Sequence, residues 1–272
     1  MAFKIHDIDE TQAPLLDHLI ELRGRLMRCI ATLVVAFAVC AYFAQDILGF
    51  LVHPLVQAGQ DRLVFTRLYG QFFVEMKVAL FAAFFVSFPV IANQLWLFVA
   101  PGLYAKEKRA FLPFMFLTPV LFGSGGALAY YVVMPGAFQW MLSFQGTQGG
   151  LRIEAMPTSE EYLGLVMQFI LAFGFCFLLP VLLLLLNRAG IVSRTQLVAA
   201  RRYVIVAIAI VSAVITPPDV LSQMLLLVPM YLLFEGSLLF MWFGDRKAAK
   251  EADAVVADAS PRVEPSPQEP AA

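Results

Sequence analysis

Six apolar stretches, at about 26–49, 77–100, 111–133, 162–187, 203–217 and 220–243, constrain this chain more than any other feature. Crossing a ~30 Å hydrocarbon layer takes about 20 residues of helix, because each residue rises only ~1.5 Å. No water reaches the backbone there, so a segment of this length closes its hydrogen bonds on itself. With 60% hydrophobic and 14% charged residues, a chain of 272 residues has too few charges to cover a water-soluble core. The sequence therefore predicts an all-α integral membrane protein with six transmembrane helices. Most soluble enzymes and charge-rich binding modules are excluded.

The charges orient the chain. Four Lys and Arg lie at the N-terminal side (Lys4, Arg23, Arg25, Arg28), three lie in 101–110 (Lys106, Lys108, Arg109), four in 188–202 (Arg188, Arg194, Arg201, Arg202) and four in the tail (Arg246, Lys247, Lys250, Arg262). The opposite side carries Arg62, Arg67, Lys77 and Arg152. Basic residues stay with the cytoplasmic face, so both termini are expected there, as an even number of spans requires. Residues 1–22 then form a cytoplasmic segment, 23–245 the six-helix domain and 246–272 a disordered cytoplasmic tail rich in Ala, Glu, Asp and Pro. The links 50–76 and 134–161 have room for short interfacial helices, and Phe138-Gln139-Trp140-Met141 reads as one. The sequence holds no internal repeat.

Several chemistries drop out. A net charge of −1 gives no reason for nucleic-acid binding. Cys29, Cys40 and Cys176 lie in apolar runs without CxxC spacing and read as buried small hydrophobes. His6, His18 and His53 are scattered, and Gly123, Gly125 and Gly126 precede no phosphate-loop lysine. The acidic N-terminus and the length of the first apolar run are unlike a cleavable signal peptide. No metal, cofactor or enzymatic role is expected.

The fifth span is short. Only 13 residues run from Val204 to Thr216 before Pro217-Pro218, about 20 Å of helix against ~30 Å of hydrocarbon. Such a helix thins the bilayer or leaves polar groups inside it. The sixth span is a second candidate for shortness.

Three segments carry a resemblance. His18-Leu19-Ile20-Glu21-Leu22-Arg23-Gly24-Arg25-Leu26 precedes span one; Phe98-Val99-Ala100-Pro101-Gly102-Leu103-Tyr104 leads into Lys106-Glu107-Lys108-Arg109; Thr216-Pro217-Pro218-Asp219-Val220-Leu221-Ser222-Gln223 joins spans five and six. Their order and six-helix frame, over about residues 14–245, resemble TatC, the multi-spanning subunit of the twin-arginine protein translocase. The resemblance implies a non-enzymatic receptor in the cell inner membrane. It would bind twin-arginine signal peptides of folded precursors at the cytoplasmic face. With TatA- and TatB-type single-span partners, as a homo-oligomer in the receptor complex, it would export them under the protonmotive force.

Two adjacent guanidinium groups call for carboxylates near the apolar boundary, where charge-assisted pairs are strong. By resemblance Glu21 and Glu107 receive the twin arginines, with Leu22, Arg23 and Phe98 in the same signal-peptide site. Plainer readings stand beside these. Glu21 can pair with Arg25 at i, i+4, and Glu107 can neutralise its basic neighbours. Arg23 can anchor the membrane face, and Phe98 can be an ordinary core or lipid-facing aromatic. Thr216, Asp219 and Gln223 form the polar cluster where family members contact a partner helix, though Asp219 also fits a cap on helix six. Pro54, Pro101, Pro217 and Pro218 are structural, Pro54 shaping a turn in the first outer loop. Glu235, late in span six, reads as an acid paired with an inner Arg.

One departure stands out. Many TatC-like chains hold Glu or Gln in span four just before its proline, where this chain has Leu178. Gln168, ten residues earlier, is not an obvious substitute. Arg201-Arg202 lies too deep in the chain to be a signal. The competing class is a secondary transporter or channel for a small solute, which would show repeats, broken helices and midplane charge, none of them evident here. An embedded enzyme would show HExxH, GxSxG or a similar motif, and none occurs.

Overall fold

The computed structural model describes residues 9–60, 62–103, 112–188, 190–216 and 220–259, with side chains from Ile20 onward except at 99–103, 112–113, 148, 221, 244–245 and 247–259. Its helices are α1 (Asp9–Tyr42), α2 (Ala44–Gln57), α3 (Gly70–Leu103), α4 (Leu112–Leu128), a π-helical turn (Ala129–Val133), α5 (Met134–Leu142), α6 (Ser159–Cys176), α7 (Leu179–Arg188), α8 (Arg194–Ala199), α9 (Arg201–Ile215) and α10 (Val220–Ala259). Two short strands, β1 (Gly146–Gln148) and β2 (Leu151–Ile153), pair antiparallel.

Five stretches are long and apolar enough to cross a membrane: Ile20–Tyr42, Gly70–Phe98, Phe114–Leu142, Ser159–Arg188 and Ser222–Phe243. The 15 residues of α9, fifth in chain order, bring the spans to six and reach only about 22 Å. This is the expected six-helix architecture with its short fifth span. The sixth span is not short, because its 22-residue apolar window sits inside the 40-residue α10. That helix reaches Ala259, so the segment expected to lack structure from 246 onward begins as helix. Neither Gly nor Pro interrupts the sequence between Asp245 and Pro261, and Ala, Lys and Glu are strong helix formers.

Three spans depart from their expected courses. Span one ends at Tyr42, not 49: Phe43 leaves helical geometry (φ −97°, ψ 18°) and the chain restarts as α2. Pro54 therefore lies buried inside a helix and shapes no loop turn. A proline has no N–H for the carbonyl four residues back, here Phe50 O. Tyr130 Oη donates to that carbonyl at 2.6 Å, and Tyr162 Oη donates to the next one, Leu51 O, at 2.9 Å.

The third span runs on to Leu142, so Phe138–Met141 closes a span and is not a separate interfacial helix. Pro135 cannot bond Tyr131 O, and the preceding Met134 N–H reaches five residues back to Ala129 O, which makes the π turn. Span four, expected unbroken over 162–187, is interrupted at Phe177–Leu178. Pro180 cannot donate to Cys176 O, and Leu178 N–H bonds Phe175 O only three residues back, at 3.0 Å. A broken helix is thus present where none was expected.

α1 packs on α3, α4 on α6, and α10 on α7 and α9. The core is aromatic: Phe122, Phe169, Phe173 and Phe234 are fully buried, and Phe88 stacks on Phe122 with centroids 3.6 Å apart. Glycines let α4 and α6 approach. A Cβ at Gly125 would collide with the Phe173 carbonyl, and one at Gly174 would lie 2.7 Å from the Phe122 ring. Such close contact is the main attraction between helices in lipid. Cys40 is buried as expected, but Cys29 and Cys176 are only half-buried. An apolar side chain in a bilayer needs no protein cover.

One end of the bundle is stitched by its links. Gly149 and Gly150, at φ 60° and 85°, turn the β hairpin. Gln60 Nε2 donates to Ala155 O at 3.1 Å, Val64 N–H to Pro157 O at 3.1 Å and Ser159 N–H to Val64 O at 2.9 Å.

Candidate functional site

Glu21, Leu22 and Arg23 occupy the first turns of the apolar part of α1, all exposed. Glu21 Oε1 forms an ion pair with Arg25 Nη2 and also accepts from Arg25 Nε at 3.2 Å. The carboxylate side chain remains 42% exposed, while the arginine is only 16% exposed. Glu21 is therefore reachable from outside and already holds a guanidinium side-on.

Because α3 packs lengthwise on α1 and returns in the opposite direction, Phe98 lies toward the end of the pair that carries Glu21. Phe98 is half-buried. Two residues before it, Trp96 Nε1 donates to Thr118 Oγ1 at 2.8 Å, and that hydroxyl donates to Phe114 O at 2.7 Å, pinning this end of α3 to α4. Pro101 falls in the last turn of α3, which extends past the expected end at 100. Glu107 lies outside the described residues, as do Pro217, Pro218 and Asp219. Leu178 lines an apolar groove of about 540 Å³ with Phe88, Leu95, Trp96, Phe175 and Leu182. The position where a polar residue was sought thus faces an apolar groove.

The second polar group gathers where α9 ends. Thr216 is buried, and its hydroxyl donates to Ser212 O at 2.8 Å. Gln223 Nε2 reaches Ala209 O at 3.4 Å, and Gln168 Nε2 donates to Ile215 O at 3.0 Å. The motif reading named Thr216 and Gln223 but passed over Gln168. The signal was present all the same, since an amide inside an apolar span is costly without a partner. At the other end of α9, Arg201 Nη2 pairs with Glu235 Oε2 at 2.8 Å, and Tyr231 Oη donates to Glu235 Oε1 at 3.0 Å. This is the acid–arginine pair expected for Glu235. Among the described residues no three His, Cys, Asp or Glu side chains gather as a metal site requires.

Known proteins agree with this architecture. Residues 17–229 match the family described as Sec-independent protein translocase protein (TatC). The chain is 46% identical over 244 residues to the Sec-independent protein translocase protein TatC of Magnetococcus marinus, covering 89% of each chain. With the Escherichia coli protein of the same name it shares 40% identity over 238 residues, 87% of this chain and 90% of the other. The crystal structure of a twin-arginine translocase receptor, TatC, superposes with a TM-score of 0.71 at 32% identity, over 82% of this chain and 98% of that one. With a six-helix frame, a short fifth span and similarity over nearly nine-tenths of its length, the chain belongs to the TatC family of Sec-independent protein translocase proteins.

Proposed function

We propose that this protein is the receptor subunit of a twin-arginine translocase. Both termini lie in the cytoplasm and the chain resides in the cell inner membrane. Glu21 and Glu107 take the two arginines of a signal peptide at the cytoplasmic face, and Phe98, Leu22 and Arg23 flank them. Thr216, Asp219 and Gln223 dock TatA- and TatB-type single-span partners, and copies of the chain associate in the receptor complex. Export of the folded cargo follows, driven by the protonmotive force.

The observation that carries this reading is the Glu21–Arg25 pair. An exposed i, i+4 pair contributes only about 0.3–0.5 kcal/mol. An incoming arginine at a partly desolvated boundary makes a stronger, charge-assisted bond. The resting pair therefore shapes the carboxylate for a guanidinium without blocking exchange.

Export of a twin-arginine precursor tests it. Glu21→Lys and Glu107→Lys are expected to abolish export while the protein still inserts, and photocrosslinks from positions 21, 98 and 107 should favour an Arg-Arg peptide over Lys-Lys. Normal export by both variants would overturn the assignment.

A further inference from the structure

α9 is held to the protein largely by polar ties. Only Ile208 and Ser212 of its side chains are buried, while Val206, Ile210 and Val214 are 56%, 60% and 77% exposed. Lipid covers most of this helix. Helices in lipid gain little from apolar burial against one another and associate through close packing and hydrogen bonds.

Three polar ties do that work for α9. Arg201 pairs with Glu235 at its start, and Gln223 reaches Ala209 O midway; both partners are on α10. The third, Gln168 Nε2 to Ile215 O, acts on the last residue of the helix. Among the described residues it is the one side-chain hydrogen bond from α6 to α9.

A helix end leaves carbonyls without donors, and in the apolar layer each bare one costs several kcal/mol. Thr216 covers Ser212 O, and Gln168 covers Ile215 O. Gln168 stands nine residues into α6 from Ser159, about 13 Å along the axis, so this bond ties the end of α9 to a fixed depth. It is not a displaced version of the residue sought at 178. Gln168 lies inside α6, whereas Leu178 lies ten residues on, in the interruption between α6 and α7.

We propose that Gln168 is a positioning residue. Its amide holds the end of α9 against α6 and so sets the depth and spacing at which Thr216 and Gln223 meet a single-span partner helix. This rests on the docking role given to Thr216 and Gln223 above.

The test uses the full chain in membranes with its single-span partners. Spin labels at positions 164 and 214 read the α6–α9 distance; Gly164 has open space at its Cβ and Val214 is 77% exposed. Q168M keeps the volume and removes the donor, and is expected to broaden the distance distribution. Q168E, neutral in lipid and able to donate, keeps it narrow. Where Q168M fails to insert, Q168N, too short to reach Ile215 O, replaces it.

In parallel, a photocrosslinker at exposed Val220 reads partner docking. Its yield should fall about threefold in Q168M, the factor of an average interhelical hydrogen bond in lipid. Q168E should restore it, and crosslinks from position 21 to a twin-arginine peptide should not change. An unchanged distance distribution, or undiminished partner crosslinking, overturns the proposal. A broadened distribution with no partner crosslink even in the unmodified protein overturns the docking reading and leaves the tether standing.

Discussion

The Tyr130 hydroxyl donates to the Phe50 carbonyl at 2.6 Å, across 80 residues of chain, and supplies the hydrogen bond that Pro54 cannot. The two rings also stack, with centroids 4.4 Å apart and planes 10° from parallel. Tyr130→Phe keeps that stack but strips the carbonyl of its donor. The expected loss is about 1–3 kcal/mol, seen as a lower melting temperature in detergent. Pro54→Ala restores the N–H within α2, so Tyr130→Phe should cost much less in that background. Equal losses in both backgrounds would refute the compensation.

The Glu21–Arg25 pair predicts a small gain. Arg25→Ala removes one competing guanidinium from Glu21 and should tighten binding of a twin-arginine peptide about twofold, the equivalent of an exposed i, i+4 pair. Glu21→Gln should weaken the same binding at least tenfold, by loss of a charge-assisted bond. Titration of a labelled peptide into purified protein distinguishes the two signs. A tighter complex in Glu21→Gln would remove Glu21 from the site.

The contact between α4 and α6 separates two neighbouring glycines. Gly125→Ala forces its Cβ against the Phe173 carbonyl, which side-chain rotation cannot relieve, and should destabilise by about 1–3 kcal/mol. Gly123→Ala has open space and should be neutral or slightly stabilising, since Ala favours helix. Thermal unfolding of the two variants side by side checks the contrast.

Arg201 and Glu235 are 46% and 30% exposed, so their pairing is screened and its coupling should not exceed about 1 kcal/mol. A double-mutant cycle with Arg201→Met and Glu235→Gln measures it. Glu235→Gln can still accept from Tyr231, whereas Glu235→Leu cannot, and should be the less stable of the two.

Much of this was legible in the chain because apolar length and charge placement are local properties. The six spans, the short α9 and the Glu21–Arg25 spacing all follow from residues within reach of one reading window, and the basic partner for Glu235 follows from the side on which the Arg residues collect. What escaped depends on single bonds or on distant partners. Hydropathy does not see Phe43 leave helical geometry, nor a proline such as Pro180 that removes one hydrogen bond inside an unbroken apolar run. Pro54 read as a turn former because the compensating donor, Tyr130, is 80 residues from the carbonyl it serves, Phe50 O. The strands β1 and β2 are too short to carry an alternation signal, and the turn at Gly149 and Gly150 was not read as a hairpin. Gln168 was noticed but not connected, since its acceptor is a backbone carbonyl and leaves no mark in sequence.

Among the described residues α1 packs mainly on α3, with a smaller contact to α2. It is seated in a small-residue cluster, where Cys40 of α1 and Ala44 at the start of α2 pack with Ala79 and Ala83 of α3. Glu21 stands nineteen residues from Cys40, about 28 Å along the axis. The helix is therefore a lever with its pivot at one membrane surface and its carboxylate near the other. A tilt of about 5° at the pivot carries Glu21 through roughly 2.5 Å, comparable to one hydrogen-bond length.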